Sequence, residues 1–218
     1  MYTLAFDTTT NFCSIALLKD DKVQDVFSQS LTFGQSELLI VKIKEILDCV
    51  NLKASDLDLI AVCTGPGSFT GVRSSISLAR AFALGVEKIT LFGVSAFDVY
   101  AAALETSKRA EINAVIIETK RDDFYVAYYD TNLNKIEPGK TAFYDEIIRD
   151  LSGHSVTFCG DGAERFLSKP SGLHIHDAVF DTSPNVVTLA NIGRVHCLNG
   201  DVNFPKPIYL KAADICVK

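Results

Sequence analysis

The sequence predicts an α/β protein of two lobes, each a mixed sheet flanked by helices. Three observations carry this. The chain opens on three short strand-like runs joined by polar turns. Segments with helical spacing then alternate with short apolar runs. After a short polar junction at residues 107–111, a comparable order begins again. The lobes are accordingly expected at 1–106 and 107–218.

Residues 3–6 are apolar enough for a buried strand. Residues 14–18 follow the polar turn Thr8-Thr9-Thr10-Asn11, and residues 23–27 follow the tight turn Asp20-Asp21-Lys22, giving a three-stranded meander. A helix spans 35–50. At about 100° per residue, Leu39, Ile43, Ile46, Leu47 and Val50 share one stripe, an ordinary core face. Residues 56–63 read as a strand, followed by a glycine turn and a second helix. A strand at 89–94 and a helix at 96–104 complete the first half. In the second half, residues 113–118 and 124–129 read as paired strands, with turns at Asp130-Thr131-Asn132 and Pro138-Gly139. A helix at 142–151 and a strand at 156–159 follow. Gly160-Asp161-Gly162 then turns into a helix around Phe166. The last helix, 184–198, has Pro184 near its start, where proline is tolerated. Three antiparallel strands and then helix, strand, helix, strand, helix is the order of the ribonuclease H-like unit, which also builds actin, sugar kinases and Hsp70.

Of the 218 residues, 48% are hydrophobic, ample for a core, and the net charge is −6. That charge argues against broad electrostatic binding of nucleic acid, which needs clustered Lys and Arg. An acidic chain still serves an RNA pathway if a partner holds the RNA. None of the six cysteines pair as C-x-x-C, and Cys13 and Cys63 lie in apolar runs. Reduced structural thiols in a cytoplasmic protein are expected. The first residues carry no basic signal-like region, and no apolar run approaches the roughly twenty residues of a membrane span.

The most specific string is Thr64-Gly65-Pro66-Gly67-Ser68-Phe69-Thr70-Gly71-Val72-Arg73. A glycine-rich turn into a helix offers backbone N–H groups at a positive helix end, which suits an anion. Thr70 stands where a P-loop would place its second glycine, and no Lys follows Gly71. Thr70 also occupies the third glycine's place in a dinucleotide fingerprint. At least one of Gly65, Gly67 and Gly71 is expected to adopt positive φ or to touch another chain.

With Leu4-Ala5-Phe6-Asp7-Thr8-Thr9-Thr10, that string resembles the TsaB family of tRNA threonylcarbamoyladenosine synthesis. The resemblance continues in Ile117-Glu118-Thr119-Lys120-Arg121-Asp122-Asp123-Phe124-Tyr125, where the family has Asp-Ala-Arg and then a Val-Tyr pair, and in Pro207-Ile208-Tyr209-Leu210-Lys211. Glu118 stands for the usual Asp, and Asp122 where Gly is common. The resemblance implies an actin-like, or ASKHA, two-lobed fold. It also implies a non-catalytic subunit that binds TsaD directly, through a bundle of its first two long helices. TsaE joins a larger complex, tRNA is reached only through that complex, and a homodimer is the other arrangement. No catalytic residue, metal or cofactor is expected in the isolated chain, with room for a nucleotide at a subunit boundary.

Each candidate has a plainer reading beside it. Asp7 either helps hold a metal–nucleotide complex, as in the actin superfamily, or hydrogen-bonds its own turn, where Thr8-Thr9-Thr10 leaves no glycine for phosphate approach. TsaD carries His-x-x-x-His on its first long helix; the corresponding helix here begins Gln35-Ser36-Glu37 and contains no histidine, which argues against a metal centre of that kind. His174 and His176 would share a strand face, as ligands or as surface residues. The sequence Gly67-Ser68-Phe69-Thr70-Gly71 imitates a nucleophile loop without an activating base.

The second helix is apolar nearly all round. Val72, Ile76, Ala79 and Ala83 make one face and Leu78, Ala81 and Phe82 the opposite one, with Arg73 and Arg80 on one edge. Such a helix must be covered on both sides. Either the domain buries it, or Leu38, Val41, Phe69, Leu78 and Phe82 form a partner interface. The competing functions are a small-molecule kinase or ATPase of the same fold and, third, a protease.

Overall fold

The computed structural model describes residues 1–211 and contains two five-stranded sheets. The first comprises β1 (Tyr2–Asp7), β2 (Phe12–Lys19), β3 (Lys22–Ser30), β4 (Leu59–Cys63) and β5 (Thr90–Val94), in spatial order β3-β2-β1-β4-β5. β1 pairs antiparallel with β2 and parallel with β4. β4 is buried along its whole length, as a strand covered on both faces must be.

The second sheet comprises β6 (Ile112–Glu118), β7 (Asp123–Tyr129), β8 (Lys140–Phe143), β9 (Ser155–Cys159) and β10 (His174–Val179), in order β10-β9-β6-β7-β8. Counted within its own lobe, this is the same 3-2-1-4-5 order as the first sheet. β6 again pairs antiparallel with its hairpin partner and parallel with the strand across a helix.

The helices are α1 (Gln35–Cys49), α2 (Phe69–Gly85), α3 (Ala96–Ala102), α4 (Tyr144–Leu151), α5 (Ala163–Leu167) and α6 (Val186–Leu198). α1 and α2 cover the outer face of the first sheet around Leu4, Phe6, Ile15, Ile43 and Ile76. α4 and α5 cover the outer face of the second around Phe124, Ile147, Phe158 and Phe166. A third cluster lies between the sheets and joins Ala5, Leu59 and Ala61 of one to Val115, Ile117 and Ala127 of the other through Tyr100 of α3 and Leu189 of α6.

Four expectations change. The last helix, assigned with 107–218, packs on β1, β2, β4 and β5 of the first sheet. There Gly193 lets it approach β4 so closely that an added Cβ would lie 2.7 Å from the Ala61 Cβ. Pro184 lies outside that helix, which Asn185 caps by accepting from the Val187 and Thr188 amides. The helix expected at 142–151 is shorter, because residues 140–143 pair with β7 as the third meander strand. His174 and His176 lie on exposed β10, but the register shifts between Ile175 and Asp177, which breaks the simple alternation between them. Among the described residues, no helix is long and apolar enough to cross a membrane.

Candidate functional site

The glycine loop closes on the first hairpin. Gly65 has φ +89°, and its peptide to Pro66 is cis. The Ser68 amide donates to the Thr9 carbonyl at 2.7 Å, and the Ser68 hydroxyl caps α2 by accepting from the Gly71 amide at 3.3 Å. Thr8 donates its hydroxyl to the Gly71 carbonyl at 2.8 Å and lies 2.7 Å from the Ser75 hydroxyl. A Cβ on Gly71 would stand 1.7 Å from the Thr8 carbonyl oxygen. The expected anion cradle is therefore partly filled by the protein: a threonine turn occupies the approach, and the glycines admit it. Thr70 is exposed in the first turn of α2.

Beside this junction lies a cleft between the lobes, about 530 Å³, whose lining includes Thr9, Ser68, Lys120, Asp161 and Asp181. Asp7 ends β1 just behind it and is wholly buried. Its Oδ1 accepts from the Thr9 amide at 3.0 Å, the turn bond of the plainer reading. Its Oδ2 is buried without a hydrogen-bond partner among the described residues. Burial pushes the Asp7 pKa up to about 6, against the bond from the Thr9 amide. Asp161 reaches the cleft from the opposite lobe and accepts from the Glu118 amide at 3.1 Å. Burial, with the Glu118 and Asp7 charges, pushes its pKa up to about 7. Lys120 bridges the lobes by donating to Asn11 at 3.1 Å.

The chain then returns as a strap along the edge of α2. Asn203 exchanges hydrogen bonds with Gly93, Arg80 donates to the Pro205 carbonyl at 2.7 Å, and the Ile208 amide donates to the Thr64 carbonyl at 2.9 Å. Arg73 donates through Nε to the Tyr209 hydroxyl at 2.8 Å. Lys211 pairs with Asp123 of β7 in the second lobe. Burial there raises the Asp123 pKa, but the bonds from Lys211 and Thr119 outweigh it and hold the carboxyl below its usual range. The two arginines on one edge of α2 thus serve the strap.

The face of the α1–α2 pair turned away from the sheet exposes several large apolar side chains, with exposed Glu37 and Lys44 among them on α1. Leu84 is 87% exposed, Ile40 58% and Val41 52%, with Phe33 just before α1 at 86%. Between them on α2 lie exposed Ser77 and Ala81, small enough for close approach of another helix. Ser36 and Ser74 join the two helices by a hydroxyl bond of 2.8 Å near their N-termini.

The family model for TsaD, tRNA N6-adenosine threonylcarbamoyltransferase, matches residues 34–157. TsaB of Escherichia coli strain K12 is 32% identical over 186 residues, 81% of this chain and 79% of its own length. The chain belongs to the TsaB family. The fold agrees: YeaZ from Pseudomonas aeruginosa superposes with a TM-score of 0.81 at 21% identity, over 96% of this chain and 99% of that one. The activator of 2-hydroxyisocaproyl-CoA dehydratase from Clostridium difficile, solved with bound ADPNP, reaches 0.52 at 10% identity, over 92% and 97%. The architecture is thus the two-lobed ASKHA fold.

On this TsaB scaffold the predicted residues form two groups, with Phe69 apart from both. Gly65, Pro66, Gly67, Ser68, Gly71 and Arg73 converge on the hairpin and the strap. Leu38, Leu78 and Phe82 are partly buried against the protein's own α1–α2 core, while Val41 is open. Phe69 is separate. Its ring lies under the Arg73 guanidinium at 3.7 Å and 5.5 Å from the Tyr209 ring, at the far end of α2 from Leu84. Sequence reasoning missed Phe33, Ile40 and Leu84 on the open face, and Asp161 and Asp181 in the cleft. Ile40 and Leu84 were legible as apolar positions off the core stripe. Nothing local marks the two carboxylates.

Proposed function

We propose that this chain serves the formation of N6-threonylcarbamoyladenosine at position 37 of ANN-reading tRNAs, as a non-catalytic subunit that binds and activates TsaD. Membership of the TsaB family supports the pathway. The observation that carries the docking is the open apolar face of α1 and α2. The TsaD model matches the stretch of this chain that contains both helices. A partner built on the same plan presents an equivalent pair, and two such pairs pack face to face about a pseudo-twofold axis. Ser77 and Ala81 permit close approach, and Ile40, Val41 and Leu84 supply the apolar area. Phe69 is left out, because its ring is committed to Arg73 and Tyr209. TsaE would join the assembly, which we place in the cytoplasm, with tRNA reached through the complex.

The test is co-purification and titration with TsaD. Leu84→Glu and Val41→Glu remove nothing from the core, so both variants should keep the parent's circular dichroism and melting temperature. A carboxylate buried unpaired at a packed interface costs several kcal/mol, so binding should weaken by about 100-fold or more. Leu78→Glu is a poorer probe, because Leu78 also contacts the protein's own core. Undiminished TsaD binding by Leu84→Glu and Val41→Glu would remove the face from the proposal. Concentration-dependent dimerisation of this chain, abolished by the same variants, would assign the face to a second copy.

A further inference from the structure

A second pocket, distinct from the acidic cleft, lies where three segments meet: the first turn of α2 with Phe69 and Arg73, the β6–β7 hairpin with Arg121 and Tyr125, and the strap with Tyr209 and Lys211. Its volume is about 710 Å³. The Gly67–Phe69 loop forms a wall shared with the cleft. The two cavities differ sharply in charge. Among the described residues, the cleft lining carries Glu118, Asp161, Glu164 and Asp181 against Lys120, with Glu118 also paired to Arg165. Among the described residues, the lining of the second pocket carries Arg73, Arg121 and Lys211 and no carboxylate, with Lys211 paired to Asp123 at its edge, on a chain of net charge −6.

Arg73 is held in one orientation. Its guanidinium carbon lies 3.7 Å from the Phe69 ring centroid and 5.7 Å from that of Tyr209, and its Nε is bonded to the Tyr209 hydroxyl. Its two Nη nitrogens have no protein acceptor among the described residues. A planar fork fixed on aromatic rings and aimed into a cavity suits bidentate capture of a phosphate. Exposed Tyr209 and half-buried Tyr125 offer ring faces beside it, and base–aromatic stacking is the sequence-tolerant way to hold an unpaired base. The volume exceeds what a bare anion needs and falls in the range of organic ligand pockets.

We propose that this pocket binds one nucleotide unit, its phosphate on the Arg73 guanidinium and its unpaired base against Tyr209 and Tyr125. The unit comes either from a free nucleotide or from a single-stranded stretch of RNA; both present the same chemistry. With one phosphate contact, affinity falls only gently with salt, with a log–log slope of about −0.7 on a single strand. This site stands apart from the docking face, and neither proposal requires the other.

The test uses the full chain at low salt, with a 5′-fluorescein single-stranded RNA heptamer read by anisotropy and AMP read by calorimetry. Saturable binding of at least one probe is expected. Arg73→Gln should weaken it by about tenfold or more, the worth of a hydrogen-bonded charge. Arg73→Lys, which keeps the charge and the aliphatic stem but not the fork, should fall between. Tyr209→Phe should cost less than Tyr209→Ala. Arg73-dependent binding of AMP alone assigns a free nucleotide; Arg73-dependent binding of the heptamer assigns a strand. If neither probe binds the parent chain, or if Arg73→Gln and Arg73→Lys both bind like the parent, the proposal is overturned.

Discussion

Asp161 lines the cleft and Asp7 lies buried at the end of β1 in the opposite lobe, and burial raises the pKa of each. Their folded-state pKa values, about 6 and about 7, stand above the ordinary 3.8. The stability tied to these protons is therefore fully present below pH 4 and is lost as pH rises through 6 to 7. Asp7→Asn removes the buried charge and keeps an acceptor for the Thr9 amide. At pH 8 it should stabilise the protein by on the order of 2–3 kcal/mol; near pH 4 the gain should vanish. Thermal melts at the two pH values decide this, and an equal effect at both would refute the linkage. Because the Asp7 charge is among the causes that raise the Asp161 pKa, Asp7→Asn should also move the Asp161 titration to lower pH, which carboxyl NMR would follow.

At the scale of the element, α2 starts where it does because three constraints agree. Ser68 supplies the cap, Gly65 takes the positive φ, and Gly71 admits the Thr8 carbonyl. Gly71→Val would place its Cβ on backbone, which cannot move aside as a side-chain end can. Destabilisation on the order of 2–3 kcal/mol is expected, or roughly 5–10 °C in melting temperature for a chain of this size. A variant that melts with the parent would show that the hairpin yields. The expectation of positive φ within this loop is met at Gly65. Contact of the loop with another chain is not needed to explain its glycines, since the hairpin already occupies them.

At the scale of the molecule, the lobes are two copies of one topology joined by a shared layer. α6 crosses back to the first sheet, α3 packs on β6 and β7, and one apolar cluster spans both sheets. A shared core couples the lobes, so unfolding should be one cooperative transition, with calorimetric and van't Hoff enthalpies equal. Gly193→Leu, which forces α6 away from Ala61, should weaken that layer and lower the melting temperature. Two separated transitions in the parent protein would show that each lobe folds alone. The strap adds to the coupling, because it bonds α2 and β5 of one lobe and ends on Asp123 of the other.

The sequence by itself determined the opening meander, the alternation that follows, the core stripe of α1 and the family, because each is written in local spacing or in a contiguous string. It also showed that α2 is apolar all round and that Arg73 and Arg80 share an edge. Tertiary structure alone decided what meets those faces. Periodicity says that Leu189 seeks a core but not which sheet provides it, so the packing of α6 on the first sheet is not readable from the sequence. β8 has four residues and runs directly into α4, too short for period-two alternation to be seen. The influence of the Asp7 charge on Asp161, and the bond of Arg73 to Tyr209 across 136 positions, depend on chain closure that no local window contains. The acidic cleft and the basic pocket beside it arise from that same closure, which brings residues distant in sequence to either side of one glycine loop.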